Sequence, residues 1–134
     1  MKRILLTLAA AALCGSALMM NHSTAQDKPA AKAAAYRHVV LFKFKDDAPA
    51  AKVASIVEAF RMLPKRLPAI KSFEWGKNVS PEKHDQGFTH CFTLSFESKE
   101  ALEKHYLNEP AHKEFGAMLG PVLDKVLVVD YVAQ

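Results

Sequence analysis

Four side chains in this sequence have the chemistry for acid–base work on a small molecule: His38, His90, His112 and Tyr106. A histidine near its ordinary pKa of about 6.5 can take an acidic carbon-bound proton at neutral pH. A tyrosine hydroxyl can hold a carbonyl and stabilise the enolate that develops on it. Together they suit aldol-type cyclisation, isomerisation or lyase chemistry. The same histidines also suit a purely structural role, as hydrogen-bonded polar members of a helix–sheet interface. With Glu109, the three histidines offer donors for a zinc-like ion. No H-x-H or H-x-x-x-H spacing brings them together, so no metal is expected. Glycine-rich phosphate loops are absent, and no spacing argues for a Ser-His-Asp arrangement. Nothing marks a haem or flavin site, so no cofactor is expected.

Four strand patterns and two helical regions must position these groups. In YRHVVLFKFK, from Tyr36, the side chains of His38, Val40, Phe42 and Phe44 share one face, and Val39, Leu41 and Lys43 the other. Period-two alternation that is apolar on both faces predicts a strand needing two layers of cover. Asp46 to Pro49 announces a helix, with Val53, Ile56, Val57, Phe60 and Leu63 at helical spacing and Pro64 and Pro68 as its expected end. A second strand is expected from about Ile70 to Val79, with Gly76 permitting a bulge or bend and Trp75 covering the core or a subunit seam. Phe88 to Phe96 alternates cleanly as a third. Ser98 is placed to cap a second helix carrying Leu102 and Tyr106. Pro110 opens a further short helix with His112 and Phe115. Val122 to Val132 is the last strand.

The order β-α-β-β-α-β predicts an α+β, ferredoxin-like antiparallel sheet with its helices on one face. His38 and His90 then face the helices, and a pocket between the two layers would gather the three histidines and Tyr106. Its expected ligand-binding walls are Val40, Phe42, Ile56, Phe60, Phe92 and Phe115, around a small apolar or aromatic molecule. The other sheet face carries Val39, Leu41, Cys91, Thr93, Leu127, Val129 and Tyr131, too apolar to stay wet. A homodimer closing two sheets face to face is therefore expected.

The N-terminus belongs to a different class. Lys2-Arg3, an apolar run from Ile4 to Leu13, and a small-x-Ala string ending at Ala25 have the order of an export signal. Gly15-Ser16-Ala17 is an earlier cleavage alternative. The run is too short to span a bilayer, which takes about 20 residues. Cys14 follows Leu13, where a lipoprotein peptidase requires a small residue, so no lipid anchor is expected. Residues 1–25 are read as a signal peptide, 26–35 (QDKPAAKAAA) as a flexible tether, and 36–134 as the folded domain of an exported, periplasmic or extracellular protein, with no membrane contact after cleavage. Cleavage removes two of the 18 Lys and Arg and none of the 14 acids, so the mature chain is nearly neutral. That excludes a nucleic-acid partner, which needs a concentrated basic face. It also leaves Cys91 as the single thiol, which excludes an internal disulfide.

Five strings in order, HVVLFKFKDDA, WGKNVSPE, GFTHCFTLSFESKEALE, PAHKEF and DKVLVVDY, resemble the stress-responsive A/B-barrel (Dabb) domain family over Tyr36 to Tyr131. The resemblance implies a dimeric α/β barrel. Some plant members are stress-induced proteins; another is a cofactor-independent polyketide cyclase whose catalytic Tyr and His stand six residues apart, the His inside Pro-Ala-His. Tyr106 and His112 in YLNEPAH match that spacing, which implies a catalytic pair with His112 as general base. Glu109 stands where that member has a second histidine, and this chain has one residue more between Phe96 and Tyr106. Two function classes stay open: a small-molecule binder, with or without His–Tyr lyase or cyclase chemistry, and a non-catalytic stress-response or interaction module.

Overall fold

A computed structural model describes residues 36–134; the expected signal peptide and tether lie outside the described residues. Strand β1, Tyr36–Phe44, buries every second side chain from His38 to Phe44. Helix α1, Ala50–Arg66, answers it by burying Ile56, Val57, Phe60 and Leu63. Strands β2, Ser72–Lys77, and β3, His90–Phe96, follow. Helix α2, Lys99–Leu102, runs directly into a π-helical turn over Glu103–Leu107. Helix α3, Pro110–Leu119, and strand β4, Leu123–Val132, complete the fold. All strand pairs are antiparallel, in the order β2-β3-β1-β4. This is the expected ferredoxin-like sheet with helices on one face.

The core is aromatic. Phe60 of α1 lies 4.5 Å, centroid to centroid, from both Phe92 of β3 and Phe115 of α3. Phe42 stands 5.2 Å from Phe92. Burying each such ring is worth about 1.5–3 kcal/mol, and the set clamps α1 and α3 onto the centre of the sheet. Ser98 caps α2 as expected, its Oγ accepting from the Ala101 N–H at 3.1 Å.

Two local expectations fail. Pro64 does not end α1; the helix continues to Arg66, because the Leu67 N–H still reaches the Leu63 carbonyl at 2.8 Å and a proline in the last turn loses only one ladder bond. Gly76 makes no bulge, since β2 and β3 stay in register through it. The irregularity lies instead at Lys43/Phe44 against β4. Of the two places expected for Trp75, the core is the one it takes: it lies opposite Phe92 on the helix side.

The bare face is as expected on β1 and β3, where Val39 and Leu41 sit opposite Thr93 and Cys91. Strand β4 goes further: Val126 to Val129, Tyr131 and Val132 are 45–51% exposed, so both of its faces are open. Directly paired residues share a face. Val126, Val128 and Asp130, opposite Phe42, Val40 and His38, therefore form an open lane on the helix side.

Candidate functional site

Antiparallel pairing separates the two sheet histidines. His38 is opposite Leu94 on β3, whereas His90 is opposite Phe42 on β1, at the other end of both strands. The expected convergence of three histidines is thus corrected: His38, His112 and Tyr106 gather at one end and His90 stands alone at the other.

At the first end, Tyr106 hangs from the π-helical turn and is almost wholly buried. Its ring stands 4.4 Å from that of His112 on α3, 5.6 Å from His38 and 5.2 Å from Phe96, centroid to centroid. Pro110 starts α3 two residues before His112, which is half-buried in the helix's first turn. His38 Nδ1 lies 2.6 Å from Asp130 Oδ1 across the β1–β4 ladder. Sequence reasoning missed Asp130. The available signal was an acid following the apolar run Val126–Val129, in phase with Val126 and Val128.

Burial sets the protonation states. Loss of solvent, and secondarily the negative charge of Asp130, holds the Tyr106 hydroxyl well above its ordinary range. It therefore stays protonated and keeps a proton to donate. Burial pushes His112 down; the Leu107 carbonyl opposes this by attracting the ring proton, while His38 and Lys113 add smaller downward pushes. At neutral pH His112 is a neutral base beside a committed hydrogen-bond donor.

At the other end, His90 is buried against Phe44, 5.1 Å away edge-on, and beneath Trp75, nearly parallel at 6.3 Å. Its Nδ1 meets Thr89 Oγ1 at 2.8 Å, while Nε2 is buried with no partner. Burial and then the charge of Lys77 lower its pKa. His90 lines a cleft of about 530 Å³ along α1 and β2, with Val53, Val57 and Trp75.

The expected ligand walls are placed differently from a lining. Val40, Phe42, Ile56, Phe60, Phe92 and Phe115 are all buried in the core cluster, the phenyl rings packed on one another. Among the described residues, no group of three or more His, Cys, Asp or Glu stands together as a metal site would require.

Residues 36–133 match the family model of the stress responsive A/B barrel domain, Dabb. The chain is 43% identical over 95 residues to the stress-response A/B barrel domain-containing protein HS1 of Arabidopsis thaliana, covering 71% of this chain and 86% of that one. It is 33% identical over 97 residues to olivetolic acid cyclase of Cannabis sativa, covering 72% and 95%. The fold is similar to a dimeric, ferredoxin-like protein of unknown function from Bacteroides fragilis, with a TM-score of 0.60, 25% identity, and 74% and 96% of the two chains covered.

Proposed function

The chain belongs to the stress responsive A/B barrel (Dabb) domain family, and from that premise we propose that it binds a small apolar or aromatic carbonyl compound and moves a proton on it, in cofactor-independent cyclase, isomerase or lyase chemistry. The observation that carries this reading is the close pair of Tyr106 and His112, ring centroids 4.4 Å apart and planes tilted by 49°, beside the Asp130–His38 couple. His112 takes a proton from the carbon next to the carbonyl. The electron pair moves onto the oxygen, and the Tyr106 hydroxyl donates a hydrogen bond to that enolate. The enolate then attacks a second carbonyl of the same molecule or is reprotonated elsewhere, and the imidazolium returns its proton. Because the core beneath Tyr106 is filled with phenyl rings, the apolar body of the ligand lies along the open lane of Val126 and Val128. The resemblance to olivetolic acid cyclase, a cyclase by name, supports the cyclase variant.

Benzoylacetone, an aryl β-diketone with an acidic carbon-bound proton, is a direct probe. The wild-type protein accelerates its C–H exchange in D2O, and His112→Ala lowers that acceleration by about 10²–10⁴-fold, the usual contribution of a positioned base. Equal rates for the two proteins would remove His112 from the chemistry.

Two further parts of the reading concern where the chain works and with what. It is exported, losing residues 1–25, and two copies close their bare sheet faces on each other. The exposed apolar residues of β4 and the dimeric Bacteroides fragilis neighbour support the pairing. Intact mass and light scattering on the protein recovered from outside the cytoplasm check both at once. A mass that begins at Met1, or a monomer at micromolar concentration, would each overturn its part.

A further inference from the structure

The second helical region is irregular: α2 ends at Leu102 and the backbone opens into the π-helical turn Glu103–Leu107 that carries Tyr106. A π turn closes its hydrogen bonds over five residues instead of four, so it takes up one residue more than an α turn, and such single turns recur at functional sites. Drawn as a uniform α-helix, the same segment would carry Tyr106 about 100° further round the axis, since each residue turns by that amount. That rotation takes the ring off His112 and out of the aromatic layer. The extra residue is accommodated on the wet side, where Lys104 and His105 are exposed.

One side chain holds the turn open. Asn108 Nδ2 donates to the Glu103 carbonyl at 2.6 Å, a bond spanning five residues, the same span as a π-helical ladder bond. The Asn108 backbone N–H is directed to Tyr106 O instead. At its other end, the turn presents the Leu107 carbonyl to the His112 ring. A single local distortion therefore touches both members of the pair.

We propose that the Glu103–Leu107 turn, clipped by the Asn108 side chain, is a register device that sets Tyr106 against His112, and that Asn108 is a positioning residue for that pair. The inference builds on the role proposed for the pair, but it concerns their placement and is tested without turnover.

The clean lesion is Asn108→Asp in the full-length protein, nearly isosteric, exposed, and unable to donate to a carbonyl. Relaxation of the turn toward α geometry should abolish the Tyr106–His112 ring NOE. The NMR titration midpoint of His112 should then rise toward the ordinary 6.5 as its cover is lost. Deleting His105 in the Asn108→Asp background removes the surplus residue, so a regular α-helix returns Tyr106 to its place and both signals recover. A merely stabilising Asn108 predicts no recovery from a deletion. An unchanged NOE and midpoint in Asn108→Asp, or no recovery in the double variant, would overturn the proposal. If the placement signals behave as stated while benzoylacetone exchange is never accelerated, the functional reading fails and the register device stands.

Discussion

His38 and His90 lie on the same face of the same sheet, are equally buried, and differ in what the neighbouring elements bring to them. The His38 end faces β4, whose inward lane supplies Asp130, and the second helical region, which supplies Tyr106 and His112. At the other end, the neighbours of His90 are apolar rings and the cationic Lys77, and its Nε2 is left without a partner. Identical residue types thus meet opposite electrostatic surroundings. A histidine with an acid on one nitrogen has an assigned orientation and can support a proton transfer beside it. A buried histidine with an orphan nitrogen carries an unreturned desolvation cost of about 1–3 kcal/mol. The lesson is that strand position along the sheet decides whether a buried histidine is an asset or a liability here, because the acid that meets His38 has no counterpart at the Nε2 of His90.

The largest effect that sharpens the contrast belongs to Asp130. Asp130→Ala leaves His38 Nδ1 buried without its partner and should destabilise the fold by about 1–3 kcal/mol, read as a lower urea midpoint with unchanged m-value. Asp130→Asn, whose amide oxygen can still accept from Nδ1, should recover part of it. If Asp130→Ala costs nothing, the His38 end is no better satisfied than the His90 end and the comparison collapses.

Much of this contrast was legible in the sequence, and its gaps have physical causes. Alternation placed His38, Val40, Phe42 and Phe44 inward, and it placed His90 and Phe92 inward on β3, because a period of two needs no tertiary knowledge. The pairing register was not legible. It follows from loop lengths and bulges; the antiparallel direction, which was legible, already puts His38 and His90 at opposite ends because each stands near the start of its strand. The filled core was hidden for a related reason: a list of apolar residues cannot say whether Phe60 and Phe92 surround a space or occupy it, whereas ring centroids 4.5 Å apart can. The π-helical turn escaped because helical periodicity assumes 3.6 residues per turn throughout. Pro64 misled because a proline's effect depends on how many turns follow it.

A smaller effect of opposite sign is expected at the other end. His90→Phe replaces the orphan imidazole by a ring that asks for no partner and suits its neighbours Phe44, Trp75 and Phe92. Thr89 Oγ1, which loses its contact with Nδ1, is on an exposed residue and can turn to water. The net change should be a stabilisation of about 1 kcal/mol, seen as a higher urea midpoint, with benzoylacetone exchange unchanged because His90 is remote from Tyr106 and His112. A destabilised His90→Phe would mean that the Nε2 has a partner in solution.

The finest discrimination comes from pH. Burial lowers the pKa of both His90 and His112 in the folded protein. On acidification through the ordinary value of 6.5, the unfolded chain therefore takes up protons that the folded chain refuses. The stability contributed by keeping these rings neutral is fully present above that pH. It declines as the pH falls below it and levels off once the folded-state groups titrate. Each group contributes a slope of at most about 1.4 kcal/mol per pH unit, and less where titration is partial. Urea midpoints measured from pH 7.5 down to about 5.5, above the range where carboxylates dominate, should fall for the wild type and fall less for His90→Phe. The remaining slope belongs to the other end of the sheet, and His112→Ala should remove a further part of it. Parallel curves for wild type and His90→Phe would show that His90 titrates normally, which would erase the electrostatic difference between the two ends.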